Sequence, residues 1–298
     1  MNLVSIGEVL WDVIGEAEYL GGAPLNFAAH AAKLGHCSFL VSAVGSDERG
    51  GRALRQVHAL GVKTEYISRR DCPTGHVSVA IVSGQPFFTI YRPAAYDFAQ
   101  LTPGQIESLA STSPQWIYFG TLAQASLAVR KTTSRLAAAI PTAKRFYDVN
   151  LRKNSYTPEI VLQLLHSATV VKLNNIEVGI VEDIFGDAHH RTIEDFCRTY
   201  ADRFGWDAVC VTCGEKGCRL LLGQEYVESP AFKIELADSV GAGDAFAAGL
   251  VHSLSLGWGA KRSAEFANRL GALVASRHGA TPAWTVDELE GFAVSQLA

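Results

Sequence analysis

Strand-like and helix-like runs take turns along most of this 298-residue chain, and that alternation constrains the fold more than any other feature. Strands separated by helices join one sheet as parallel neighbours, because each helix returns the chain to the edge where the next strand starts. Leu3–Ser5 reads as a strand and Asn26–Leu34 as a helix stopped by Gly35; Ser38–Val44 and Gly51–Leu60, stopped by Gly61, repeat the pair. Further strands are expected at Trp116–Phe119, Arg145–Val149, Val170–Leu173 and Ala208–Thr212, with helices near 126–139, 158–167, 175–184 and 192–204. The expected class is an α/β sandwich with helices on both faces of a mostly parallel sheet. At 48% hydrophobic and 19% charged, the chain can bury a large core, and residues 1–298 read as a single α/β domain with at most a small appendage.

Residues 76–91 break the rhythm. HVSVAIV and PFFTIY alternate with period two and are joined by Ser83-Gly84-Gln85, which marks a hairpin rather than a crossover. A second short hairpin is expected in 9–20, turning at Gly15-Glu16, so that a small β-lid forms from about 10–20 and 74–96.

A net charge of −4 and a pI near 6.1, without a long basic run, exclude a phosphate-backbone binder. No basic leader precedes the first apolar stretch and no eighteen apolar residues run together, which points to a cytoplasmic protein without a membrane partner. Six cysteines do not make a disulfide scaffold here. Cys210 and Cys213 form a C-x-x-C, but the stretch through Cys218 alternates like paired strands and lacks a second ligand pair. His189 and His190 read as surface histidines.

DSVGAGDAFAAG, from Asp238 to Gly249, carries the chemistry. With a strand at Phe232–Ala237 and a helix at Ala245–Leu256, Gly241-Ala242-Gly243 becomes the turn that directs helix N–H groups outward, an anion site. Asp244 beside an anion gains nothing electrostatically. It is either the helix N-cap or a base that takes a proton from an attacking hydroxyl. The dinucleotide motif G-x-G-x-x-G fails, because Phe246 stands at its last position, and G-x-x-x-x-G-K-[ST], G-x-S-x-G and H-E-x-x-H are absent.

This stretch resembles the C-terminal D-T-x-G-A-G-D motif of the ribokinase-like (PfkB) carbohydrate kinases, with Ser239 for the usual threonine. The resemblance implies a ribokinase-like three-layer α/β/α sandwich, Asp244 as base, and Gly241, Ala242 and Gly243 with the Asp244 amide as anion hole. Gly21-Gly22-Ala23-Pro24-Leu25-Asn26 is similar to the family's G-G-x-x-x-N motif, which implies that Asp12, Gly22 and Asn26 bind sugar hydroxyls; Asn26 could instead cap its helix. Asp148-Val149-Asn150-Leu151-Arg152 resembles D-x-N-x-R, placing Asn150 at the sugar and Arg152 at the developing charge, where a solvated turn is the other reading. Tyr91-Arg92 stands where fructokinase-like members place a sugar contact.

On the nucleotide side, Lys172-Leu173-Asn174-Asn175-Ile176-Glu177 resembles N-x-x-E, which implies Lys172 and Asn174 near the phosphates and Glu177 on Mg²⁺ through water. The Asn174 to Glu177 spacing is also that of a capping box. Thr212, Gly214 and Gly217 match the T-x-G-x-x-G turn, and Asn268 falls at the adenine side or on a solvated face. Asp238 and Val240, with a loop near Ser276–Gly279, resemble a monovalent-cation (K⁺) site. The implied activity is ATP-dependent phosphorylation of a sugar hydroxymethyl group. Fructose is the first choice of acceptor, with ribose and 2-keto-3-deoxygluconate as alternatives and a silent sugar or nucleotide sensor as a different class. Lids pair between subunits in many members, which implies a homodimer.

Overall fold

The computed structural model describes residues 1–82, 85–187 and 190–292. The expected turn at Ser83-Gly84, and His189, lie outside the described residues. The chain divides into two compact units, Met1–Ala143 and Lys144–Ala298.

The first unit contains strands β1 (Asn2–Ile6), β2 (Leu10–Ile14) and β3 (Ala17–Gly21), then helix α1 (Ala23–Lys33), β4 (Cys37–Gly45), α2 (Glu48–Ala59) and β5 (Ile67–Arg70). It continues with β6 (Gly75–Val82), β7 (Gln85–Ile90), α3 (Pro103–Ser111), β8 (Trp116–Gly120), α4 (Thr121–Gln124) and α5 (Leu127–Ala139). Strands β8, β1, β4 and β5 lie side by side, all parallel. β8 is buried along its whole length, as is β4 beyond Cys37; strands buried on both sides belong to sheets covered on both faces. Leu25 and Ala28 of α1 and Ala53 and Val57 of α2 close over Leu40 and Val44 of β4. The expected helix stops hold: Gly35 and Gly61 have φ of 86° and 80°, the left-handed region where only glycine is unstrained.

The segments expected to make a lid form a separate four-stranded sheet in the order β3-β2-β6-β7. β2 pairs antiparallel with β3 and parallel with β6, and β6 antiparallel with β7. Both expected hairpins are present. Residues 95–98 leave the sheet as a short 3₁₀ turn.

The second unit contains β9 (Lys144–Asp148), α6 (Pro158–Ser167), β10 (Val170–Asn174), α7 (Asn175–Phe185), α8 (Ile193–Phe204), β11 (Ala208–Thr212), β12 (Cys218–Leu222), β13 (Glu225–Ser229), α9 (Ala242–Ser255), α10 (Ala260–Ala275) and α11 (Val286–Gly291). β9, β10 and β11 are parallel, and β12 and β13 extend the sheet antiparallel. The C-x-x-C stretch is the β11–β12 pair, as its alternation suggested. The strand expected at Phe232–Ala237 does not form. Pro230 ends β13, and the half-exposed segment runs instead to the C-terminus of α10, where the N–H groups of Ala237 and Asp238 both donate to Ala275 O at 3.0 and 3.2 Å. Among the described residues no helix is long and apolar enough to cross a membrane.

Candidate active site

Helix α9 starts from Gly241, whose φ of 78° is left-handed. A Cβ there would lie 2.3 Å from Ala280 O, so a side chain is excluded twice over. No side chain caps the helix. Ala242, Gly243 and Asp244 are its first three residues, and Asp244 therefore sits inside the first turn rather than at the cap. The simple N-cap reading of Asp244 is corrected by this register.

Lys172 lies under that turn. A Cβ on Gly243 would stand 3.4 Å from Lys172 Nζ. The ammonium donates to both oxygens of Asp148, 3.0 Å each, and the two side chains are 9% and 0% exposed. They are directly opposed residues of β10 and β9, so the strand register itself makes the pair. Burial pushes the Lys172 ammonium down, but the carboxylates of Asp148, Glu177 and Asp244 outweigh it and hold it above the ordinary lysine value. An ammonium already answered by Asp148 thus lies beside a helix N-terminus, and the free N–H groups of that terminus favour an anion.

Asp148 ends β9 and the chain turns through Asn150, a non-glycine residue with φ of 37°. The turn is held by Glu177: its Oε1 accepts the Leu151 N–H at 2.7 Å and its Oε2 the Asn174 N–H at 2.8 Å. Asn174 caps α7 in return, Oδ1 accepting from the N–H groups of Ile176 and Glu177 at 2.9 Å each. The capping box is real, and it also ties the Asp148–Arg152 loop to α7. Burial raises the Glu177 carboxyl above its ordinary value against these bonds and Lys172. Arg152 stays exposed.

In the first unit, Asp12 projects from β2 toward Gly21; a Cβ on Gly21 would lie 2.8 Å from Asp12 Oδ2. Gly22 has φ of 118°, and a Cβ there would meet Glu8 O at 2.4 Å. Gly22 is itself the N-cap of α1, and Asn26 is the fourth helical residue, buried to 4% exposure. Asn26 is thus not the helix cap. Arg92 donates through Nε and Nη2 to the two Asp97 oxygens and through Nη1 to Leu122 O at 3.0 Å.

The PfkB carbohydrate kinase family model matches residues 3–286. The chain belongs to the PfkB family of carbohydrate kinases. It is 29% identical to a sugar kinase of Pyrococcus horikoshii over 97% of this chain and 96% of that one. It is 27% identical to fructokinase-2 of Oryza sativa, over 94% and 90%. Among solved structures, fructokinase with bound ATP from Xylella fastidiosa superposes with a TM-score of 0.89 at 22% identity, covering 100% and 99% of the two chains. The fold is that of the ribokinase-like sugar kinases.

Other PfkB motif residues take definite places. Thr212 ends β11, and its hydroxyl donates to Leu173 O at 3.4 Å. Gly214 and Gly217 flank a 3₁₀ turn with φ of 56° and 81°. At Gly217 a Cβ would fall 2.0 Å from Ser229 O. Asn268 is 8% exposed, not on a solvated face; its Nδ2 lies within 3.0–3.2 Å of Ser229 Oγ, Ser229 O and Pro230 O. Asp238 staples two loops, accepting from Val240 N and Gly279 N at 3.0 Å each. His190 is not a free surface histidine, since Glu182 Oε1 accepts its backbone N–H at 2.9 Å and lies 2.7 Å from its Nδ1. An open depression of about 630 Å³ beside it, lined by Asp187, Thr199, Asp202 and Arg203, contains none of the motif residues.

Within the second unit the structure brings together Gly241–Asp244, Lys172, Asn174, Glu177 and Asp148. The last was not assigned a role from sequence, although a carboxylate ending an apolar strand was a usable signal. Glu8, 4% exposed in an apolar run, carried a related signal in the first unit.

Proposed function

We propose that this protein uses ATP to phosphorylate the hydroxymethyl group of a small sugar, fructose before ribose or 2-keto-3-deoxygluconate. The observation that carries the reading is the place of Asp244, in the first turn of an uncapped helix above the buried Lys172 ammonium. Asp244 accepts the hydroxyl proton as the sugar oxygen forms its bond to the γ-phosphorus, and the bond to the β-phosphate oxygen breaks to release ADP. General-base help of this kind is worth roughly 10²–10⁴-fold. The amides of Ala242, Gly243 and Asp244, the Lys172 ammonium and Arg152 stabilise the charge on the transferring group.

Asp12, Gly22, Asn26, Asn150 and Arg92 are assigned to the sugar. Thr212, Gly214, Gly217, Asn174 and Asn268 border the nucleotide, with Asn268 acting chiefly by holding the Ser229–Pro230 backbone. Magnesium fits this set through water, because each Glu177 oxygen retains a lone pair after its backbone bond. When bound, the ion neutralises phosphate charge. Asp238 and the Val240 backbone are assigned to a potassium ion, with Asp238 already joining the two loops such a site needs. The family match over 3–286 supports one functional domain. The exposed Ile14, Tyr19, Phe88 and Tyr91 of the lid support a homodimer through it.

ADP release with Mg-ATP and potassium, measured across fructose, ribose, 2-keto-3-deoxygluconate, glucose and a nucleoside, tests the reading. Fast turnover on fructose supports it. Ligand-induced stabilisation without turnover on any acceptor would make the protein a sensor instead.

A further inference from the structure

Arg92 is the one sugar-assigned residue of the first unit with a positive charge, and that charge is already answered. Its Nε and Nη2 donate to the two oxygens of Asp97 in a bidentate pair, and its Nη1 donates to Leu122 O. Asp97 is fixed from three sides. It is 6% exposed, its Oδ2 accepts the Ala94 N–H at 2.9 Å, and its carbonyl accepts the Ser126 hydroxyl at 2.5 Å. Bidentate carboxylate pairs are strong and geometrically fixed, so Asp97 cannot swing away to release the guanidinium to an anionic ligand. Two more arginines of this unit, Arg49 and Arg52, are paired with Glu18. The other sugar-assigned charge of this unit, Asp12, is a carboxylate.

We propose that Asp97 is a specificity-determining residue that cancels the charge of Arg92, so that the acceptor is an uncharged sugar and sugar acids and sugar phosphates are rejected. This rests on the reading that Arg92 faces the acceptor. Three of the five guanidinium N–H groups are used by Asp97 and Leu122; those left can donate to a hydroxyl oxygen, which needs no net charge. A carboxylate or phosphate brought to the same place meets the Asp97 carboxylate that already holds the arginine. Rejection by like charge is the repulsive half of specificity and outweighs a missing contact.

The test measures kcat/KM by ADP release, and binding heats by calorimetry, for fructose, 2-keto-3-deoxygluconate and fructose 6-phosphate, with the parent and Asp97→Asn. The parent is expected to favour fructose over both anions by about a hundredfold. Asp97→Asn, checked for an unchanged circular dichroism spectrum, is expected to narrow the gap for the sugar acid by about tenfold or more, because Arg92 then carries an unanswered charge. A parent that binds or turns over the sugar acid as well as fructose overturns the inference, and so does a folded Asp97→Asn variant with the parent's ratio. Selective fructose binding without turnover would sink the kinase reading alone. The parent comparison decides even where the variant does not fold.

Discussion

Lys172 and Asp148 show how one pair of side chains joins stability to chemistry. Removing a single partner of a buried ion pair leaves the other charge without compensation, which typically costs about 3–5 kcal/mol. Lys172→Met is therefore expected to lower the unfolding free energy in urea by about that amount. Asp148→Leu added to it should recover most of the stability without recovering turnover. Recovery of both would show that the ammonium has no part in the reaction. Because the folded Lys172 pKa is raised, the stability it lends is complete below the ordinary lysine value and is lost as pH rises through the higher folded one. What sequence did not reveal at this scale were the partners. Asp244, Asp12 and Asn26 stood out as polar groups at motif positions, whereas the roles of Asp148 and Asp97 come from Lys172 and Arg92, the residues they face.

At the scale of elements, the start of α9 separates two glycines that look alike in GAG. Gly241→Ala forces a left-handed φ on alanine and drives its Cβ into Ala280; a loss of roughly 1–3 kcal/mol from backbone strain alone is expected in thermal melting. Gly243→Ala places a methyl in a helix, where alanine gains roughly 0.5–1 kcal/mol over glycine, but against the Lys172 ammonium. Stability should hold or rise while KM for ATP increases. A parallel loss of stability in both variants would contradict the room that the helix leaves for a Cβ at Gly243. The lid offers a second case. His76 of β6 stacks on Tyr91 with ring centroids 4.3 Å apart, and burial, with Arg49 assisting, depresses its pKa below the ordinary 6.5. The stability it contributes is present above pH 6.5 and is lost as pH falls through the lower folded value. Amide exchange in β6 is accordingly expected to quicken at pH 5 relative to pH 7 once corrected for intrinsic rates, and His76→Phe should remove that difference. Glycine stops and alternating runs made these elements legible in sequence. Phe232–Ala237 was not, because alternation marks an extended chain without saying whether a neighbouring strand is there to pair with it.

For the molecule as a whole, the recurring order of strand and helix specified the class, and superposition on a fructokinase at a TM-score of 0.89 places the chain in that fold despite 22% identity. Within the second unit, parallel strands deliver Asp148, Asn174 and Thr212 at their C-terminal ends, the edge where open α/β sheets bind ligands. The acceptor was less legible, since it depends on charges such as that of Asp97 that no motif spacing encodes. The most direct test of the central claim compares Asp244→Asn with the parent for ATP affinity by calorimetry and for ADP release on the best acceptor. ATP binding within a few-fold of the parent and turnover reduced by roughly 10²–10⁴-fold is the expected result; turnover retained in the folded variant would contradict Asp244 as the base.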